Sequence, residues 1–227
     1  MSKGFSTSSV GRKILMALSG FFLLFFLLQH FVINFLSVLS PDAFNETSHF
    51  MGTNPLIQYF LQPVLLFGVL FHLGMGIYLD LQNKKARPVK YAMNKPAENT
   101  NWMSRNMIIT GIMIMLFLGL HFYDFWFPEI NTKFIEGDWS GMHNGGFRYF
   151  HELQDKFVNP VRVGIYVLAF VFLSLHLLHG FQSAFQSVGF NHRKYTPIIK
   201  KLGTLYAIII PLGFIFIAIF HFINHSH

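Results

Sequence analysis

ILMALSGFFLLFFLLQHFVINFLSVLS, residues 14–40, runs without one charged side chain. At 1.5 Å rise per residue a helix needs about 20 apolar residues to cross a hydrocarbon core about 30 Å thick, so this stretch is long enough to span a bilayer. It follows Arg12 and Lys13 and has no small-residue cleavage site. It therefore reads as a first span and not as a removable leader. One residue disturbs its apolar character: His30, well inside the run.

Four more stretches of this kind follow, at about 56–79, 106–127, 160–187 and 202–223. None carries an ionised side chain near its middle. Asp80 closes the second, Asp124 lies near the end of the third, and Arg162 opens the fourth. Asn159-Pro160 reads as a helix start, with proline in the first turn. The expected fold is all-α: a single membrane domain, residues 1–227, of five transmembrane helices whose backbone groups are satisfied internally, as lipid demands.

Composition agrees. Of 227 residues 52% are hydrophobic and 12% charged, against about 25% charged in soluble domains. The 29 phenylalanines sit largely in uncharged runs, which suits a lipid-facing surface. A net charge of +7 would suggest nucleic acid only if the cations formed a patch on a soluble domain. They flank apolar runs instead, so no nucleic-acid partner is expected. There is no cysteine, which excludes disulfides, thiolate chemistry, iron–sulfur ligation and covalent c-type haem attachment.

The cations also set orientation. Lys3, Arg12, Lys13, Lys84, Lys85, Arg87, Lys90, Lys95, Arg105, Arg193, Lys194, Lys200 and Lys201 fall on one side; only Lys133, Arg148, Lys156 and Arg162 fall on the other. The N-terminus is thus expected inside and the C-terminus outside, with a long outer loop over about 128–159. His221, His225 and His227 read as a polar ending.

His30, His72, His121 and His176 each lie within a different apolar run. Ionisable side chains in a membrane are rare and commonly functional. Depth sorts them. His30 lies about 25 Å beyond Lys13 and His121 about 24 Å beyond Arg105, both in the outer half. On the oppositely directed second and fourth helices, His72 lies about 18 Å from Lys84, and His176 about 20 Å from the helix end near Gly189, both in the inner half. Two couples at two levels match two stacked b-type haems, each held by two imidazoles. Gly76 and Gly180 follow His72 and His176 by four residues, on the same helix face. Small residues there leave room for a flat macrocycle, or let helices pack closely. His179, one turn beyond His176, is a rival ligand by depth; the glycine spacing favours His176 and leaves His179 a hydrogen-bonding or propionate role. His49, His143, His151 and His192 are expected in loops, away from iron.

Around these histidines the sequence reads Q-H-F-V-I-N at His30, F-H-L-G-M-G-I-Y at His72, R-x(15)-H from Arg105 to His121, and H-L-L-H-G-F-Q-S-A-F-Q-S-V-G from His176 to Gly189. In this order, over nearly the whole chain, these motifs resemble the dihaem cytochrome b anchor of succinate:quinone oxidoreductases, the single-polypeptide class of bacilli, epsilonproteobacteria and Bacteroidetes, the last most of all. The resemblance implies that His72 and His176 bind an inner haem b and His30 and His121 an outer one. It implies a flavoprotein subunit and an iron–sulfur subunit as partners on the inner side of a bacterial cytoplasmic membrane. Trp102 and Arg105 would then serve docking or haem propionates, together with His179. Relatives handle quinone near the outer haem, where Glu46, His49, Gln58 and Gln62 are the candidates at the outer start of the second helix.

The expected activity is that of a subunit: electrons from succinate, oxidised on the flavoprotein, reach menaquinone through the two haems. Moving an electron outward releases up to about 2.3 kcal/mol per 100 mV for a full crossing, so succinate oxidation is expected to be electrogenic. The alternatives are a fumarate reductase anchor working in reverse, a cytochrome b of a hydrogenase or formate dehydrogenase, and a transporter using histidines for protons or metal. A transporter would be colourless, and would be expected to carry intramembrane Asp or Glu beside its histidines.

Overall fold

A computed structural model describes residues 8–85, 106–143, 145–190 and 192–225. Trp102, Arg105 and the cations between them and Lys85 lie outside the described residues. Five helices are long and apolar enough to cross a membrane. They are α1 (Ser9–Leu39), α3 (Ile57–Lys85), α4 (Met107–Ile135), α6 (Pro160–Ser187) and α7 (Thr196–Ile223). Two short helices lie between spans: α2 (Pro41–Thr53) and α5 (Tyr149–Lys156). A two-stranded hairpin, β1 (Met142–His143) against β2 (Gly146–Phe147), precedes α5.

The helix starts follow local chemistry. Ser8 Oγ accepts from the Gly11 amide at 2.9 Å. Ser40 caps α2 with Pro41 behind it. Asn159 Oδ1 accepts from the Val161 and Arg162 amides at 2.9 and 3.2 Å, with Pro160 in the first turn. Each side chain satisfies amides that have no carbonyl partner within the helix. At the end of α6, Gly189 takes φ +91°, the left-handed conformation that closes a helix at low cost only for glycine.

Two expected boundaries need correction. The segment after Ser40 is not a loop: Ser40-Pro41-Asp42 starts α2, so Glu46 and His49 sit on that helix and not on the second span. The third span does not stop near Phe127 but runs to Ile135, through π-helical turns at Phe122–Trp126 and Asn131–Ile135. Asp124, Glu129 and Lys133 therefore lie within one continuous helix. The chain tolerates this because each is paired. Buried Asp124 meets Arg162 at 3.4 Å and accepts from Tyr166 Oη at 2.8 Å. Glu129 bridges Lys133 and Arg148, and Lys133 also donates to the Gly52 carbonyl.

α1, α3, α4 and α6 carry His30, His72, His121 and His176, one each; α6 also carries His179 and α7 carries His221. α1 packs against α3, α6 and α7, and α4 against α6, so α7 closes the bundle across α1 and α6. Buried apolar side chains line the α6–α7 seam, among them Tyr166, Phe170, Ile210, Phe214, Ile217 and Ala218. Close approach is built in at Gly203, where a Cβ would stand 2.6 Å from Phe181 Cδ1, and at Gly68, where it would stand 2.7 Å from Phe22 Cε1. Ser174 Oγ donates to the Ala207 carbonyl across this seam (2.7 Å), and Tyr206 Oη donates to the Leu24 carbonyl (2.6 Å), which ties α7 to α1. By contrast α3 leaves Leu70, Phe67 and Ile77 exposed, the apolar surface a lipid-facing helix presents.

Candidate cofactor site

The bundle brings the four histidines together as two couples. His72 on α3 faces His176 on α6, with ring centroids 6.4 Å apart at 67°. His30 on α1 faces His121 on α4, with centroids 5.7 Å apart at 63°. The first couple lies nearer the end that carries Lys13, Lys85 and Lys194; the second lies toward the far end. The two levels are linked along α1 and along α4. Ser19 touches His72 and Thr110 touches His176, and each lies eleven residues before the histidine of the other couple. That separation is about 16 Å along a helix axis.

At the basic-end couple, Ser19 Oγ lies 2.9 Å from His72 Nδ1, and Thr110 Oγ1 lies 3.1 Å from His176 Nδ1. Among the described residues no hydrogen bond reaches Nε2 of either ring. A ring nitrogen left free while the other is held is the arrangement in which imidazole ligates a metal. Gly20 and Gly111 lie against these rings: a Cβ would stand 3.6 Å from His72 Cε1 at the first, and 3.7 Å from His176 Cε1 at the second. Gly76 and Gly180, expected to clear space for a macrocycle, face methionine methyls from the neighbouring helices. A Cβ would stand 3.5 Å from Met16 Cε and 3.3 Å from Met107 Cε.

His179 forms neither a hydrogen bond nor a ring contact among the described residues, so only His176 on this helix is paired. At the far-end couple the His121 Nδ1 is buried without a hydrogen-bond partner among the described residues. Asn34 Nδ2 lies 3.3 Å from His30 Nδ1 and also donates to the His30 carbonyl at 2.8 Å. Phe117, Phe125, Phe26 and Phe214 surround this couple.

Among the described residues no three His, Asp or Glu side chains converge as a metal-binding group. Two imidazoles per level, walled by aromatic rings, do not complete a tetrahedral or octahedral protein site. They suit a metal whose other donors come from a macrocycle, to which the protein would add two imidazoles. The donor set fits haem.

The other expected residues are more dispersed. Glu46 is exposed on α2. His49 is not a loop residue: it stacks on Phe147 at 4.5 Å and lies 3.4 Å from Tyr149 Oη. Gln58 donates to the Met51 carbonyl at 2.9 Å, and Gln62 follows one turn later on α3. His151 belongs to α5, where it meets Asp155 at 3.1 Å. Nearby, burial alone would lower the Arg148 guanidinium pKa, but hydrogen bonds to Glu152 and Glu129 outweigh it and hold it above its ordinary value. Burial, reinforced by Glu129, pushes the Tyr149 phenol up to about 12.

His221 is the clearest departure from expectation. It is no polar tail residue but is fully buried on α7, with Nε2 2.8 Å from Ser37 Oγ. Its place two residues inside the last apolar run was the available signal; the neighbouring His225 and His227 hid it.

A model of the succinate dehydrogenase/fumarate reductase transmembrane subunit family matches residues 6–95, the part that holds α1 to α3 with His30 and His72. The chain is 24% identical over 202 residues to the succinate dehydrogenase cytochrome b558 subunit of Bacillus subtilis (strain 168), covering 87% of this chain and 89% of that one. No solved structure matches. With five membrane-length helices, the chain is similar along most of its length to a succinate dehydrogenase cytochrome b subunit, and over residues 6–95 to the succinate dehydrogenase/fumarate reductase transmembrane subunits.

Proposed function

We propose that this chain is a dihaem cytochrome b anchor, N-terminus inside, in a bacterial cytoplasmic membrane. His72 and His176 would hold the inner haem b, and His30 and His121 the outer. Bound haem would supply one-electron chemistry, linking an iron–sulfur subunit and its flavoprotein on the inner side to menaquinone near the outer haem. The observation that carries this reading is the meeting of four histidines, one from each of four spans, as two couples about 16 Å apart in depth.

The chain's own residues supply binding and environment. The imidazoles would hold the metal, Ser19 and Thr110 orient the inner couple, and the aromatic wall of Phe26, Phe117, Phe125 and Phe214 keeps water from the outer one. Low polarity and axial ligation are the means by which a protein tunes such a centre. The basic end, with Arg12, Lys13, Lys84, Lys85, Lys194, Lys200 and Lys201, suits an inner side and a soluble partner. Trp102 and Arg105 are assigned to that docking face or to haem propionates, and Glu46, His49, Gln58 and Gln62 to the quinone end.

Succinate oxidation is the proposed direction. The family's name covers fumarate reduction equally, and the anchor's geometry serves both. The test is a dithionite-reduced minus oxidised spectrum of the purified complex with a haem count per chain. Two b-type haems are expected; a colourless preparation, as a transporter would give, overturns the reading. Co-purification of flavoprotein and iron–sulfur subunits separates it from the cytochrome b of a hydrogenase or formate dehydrogenase.

A further inference from the structure

A serine or threonine in a membrane helix ordinarily returns its hydroxyl proton to a carbonyl of the preceding turn. Ser19 and Thr110 do this: Ser19 Oγ donates to the Met16 carbonyl at 2.8 Å, and Thr110 Oγ1 donates to the Met107 carbonyl at 2.9 Å. Each hydroxyl has a single proton, so each oxygen is left as an acceptor only. The atom within reach of Ser19 Oγ is His72 Nδ1; the atom within reach of Thr110 Oγ1 is His176 Nδ1. Both rings must then carry their proton on Nδ1 and present the lone pair at Nε2.

The arrangement occurs twice, in one register. Met16, Ser19, Gly20 and His30 on α1 match Met107, Thr110, Gly111 and His121 on α4, a shared pattern M-x2-[ST]-G-x9-H. In each copy the hydroxyl holds the imidazole of the facing helix, the glycine lies against that same ring, and the methionine methyl meets the glycine four residues beyond it. Two independent helix pairs thus build the same device around the same couple. The outer couple lacks it: among the described residues His121 Nδ1 has no partner, and His30 meets the amide nitrogen of Asn34, a donor.

We propose that Ser19 and Thr110 are positioning residues for the inner haem, each fixing the tautomer and ring plane of one axial histidine and raising the basicity of its Nε2. This rests on the dihaem reading above. An N–H that donates to an oxygen leaves its imidazole a stronger ligand, which favours the oxidised metal. Removing the acceptor therefore raises the midpoint potential of that haem.

The test uses the whole complex with Ser19→Ala, Thr110→Val, and the hydroxyl-preserving Ser19→Thr and Thr110→Ser. Redox titration followed optically and by EPR of the low-spin ferric signals reads each haem separately. The expected result is an upward potential shift and altered g-anisotropy in one component only, the same component for Ser19→Ala and Thr110→Val, with wild-type values in Ser19→Thr and Thr110→Ser. Loss of that component from Ser19→Ala with retention in Ser19→Thr also supports the proposal, since losing such a partner costs about 10–100-fold in metal affinity. Unchanged potentials and signals in Ser19→Ala and Thr110→Val, or shifts in different components, overturn it while leaving the dihaem reading intact. A wild-type complex without two low-spin components defeats the dihaem reading itself.

Discussion

His30 on α1 and His121 on α4 face each other across the far half of the bundle, their ring centroids 5.7 Å apart. No sequence neighbour joins them; the packing of α1 and α4 around α6 does. Substituting either one removes the same ligand couple. His30→Ala and His121→Ala are each expected to abolish the same component of a redox titration, and His72→Ala and His176→Ala the other. Components lost in any other combination contradict the pairing.

The fourth span separates its two histidines. His176 is paired with His72 and held by Thr110, whereas His179 makes no such contact. His179→Ala should retain both haems with a normal low-spin spectrum, and His176→Ala should lose one. Haem content per chain, measured as the pyridine haemochrome, decides it; loss of a haem from His179→Ala alone reverses the assignment.

Asp124 is buried with Arg162 and Tyr166 as its partners. Arg162→Met leaves that carboxylate buried without its cation, a change that costs about 3–5 kcal/mol in comparable buried pairs. Asp124→Asn combined with Arg162→Met removes both charges and should recover most of the loss. Unfolding of the solubilised protein, followed by loss of helical signal, measures both; a single variant as stable as the native protein contradicts the pairing.

The four spans with paired histidines were legible because each is a long, largely uncharged run broken by imidazole, once in three of them and twice in the fourth, and helical rise converts position into depth. The expected fourth span, 160–187, coincides with α6, since Asn159-Pro160 caps it unambiguously. α2 was hidden because its residues are polar, although Ser40-Pro41-Asp42 is a start signal. The end of α4 was misplaced because Asp124, Glu129 and Lys133 look like the edge of a membrane. Only their partners on other elements, Arg162, Tyr166, Arg148 and Gly52, reveal that the helix can keep them. Ser19 and Thr110 were invisible for a related reason. A hydroxyl in an apolar helix signals nothing until the register against the facing helix is known.

Glu129, Lys133 and Arg148 clasp α4 to α2 and to the hairpin–α5 segment. Lys133→Met deletes the charge-assisted bond to the Gly52 carbonyl and is expected to cost about 1.5–3 kcal/mol. Limited proteolysis between residues 136 and 148 should become faster in this variant; an unchanged cleavage rate contradicts the clasp.

If the inner side is the basic one, electrons drawn from succinate move outward with the membrane potential, gaining up to about 2.3 kcal/mol per 100 mV. Dissipating the potential in intact cells should slow succinate-dependent menaquinone reduction. An unchanged rate counts against this direction of charge movement.

One number tests the central claim most directly: iron-bound protohaem per chain in the purified complex, native and His72→Ala side by side. Two in the first and one in the second is the predicted outcome. A single haem in the native protein, or an unaltered content once His72 is gone, would mean that the facing imidazoles do not hold metal in couples.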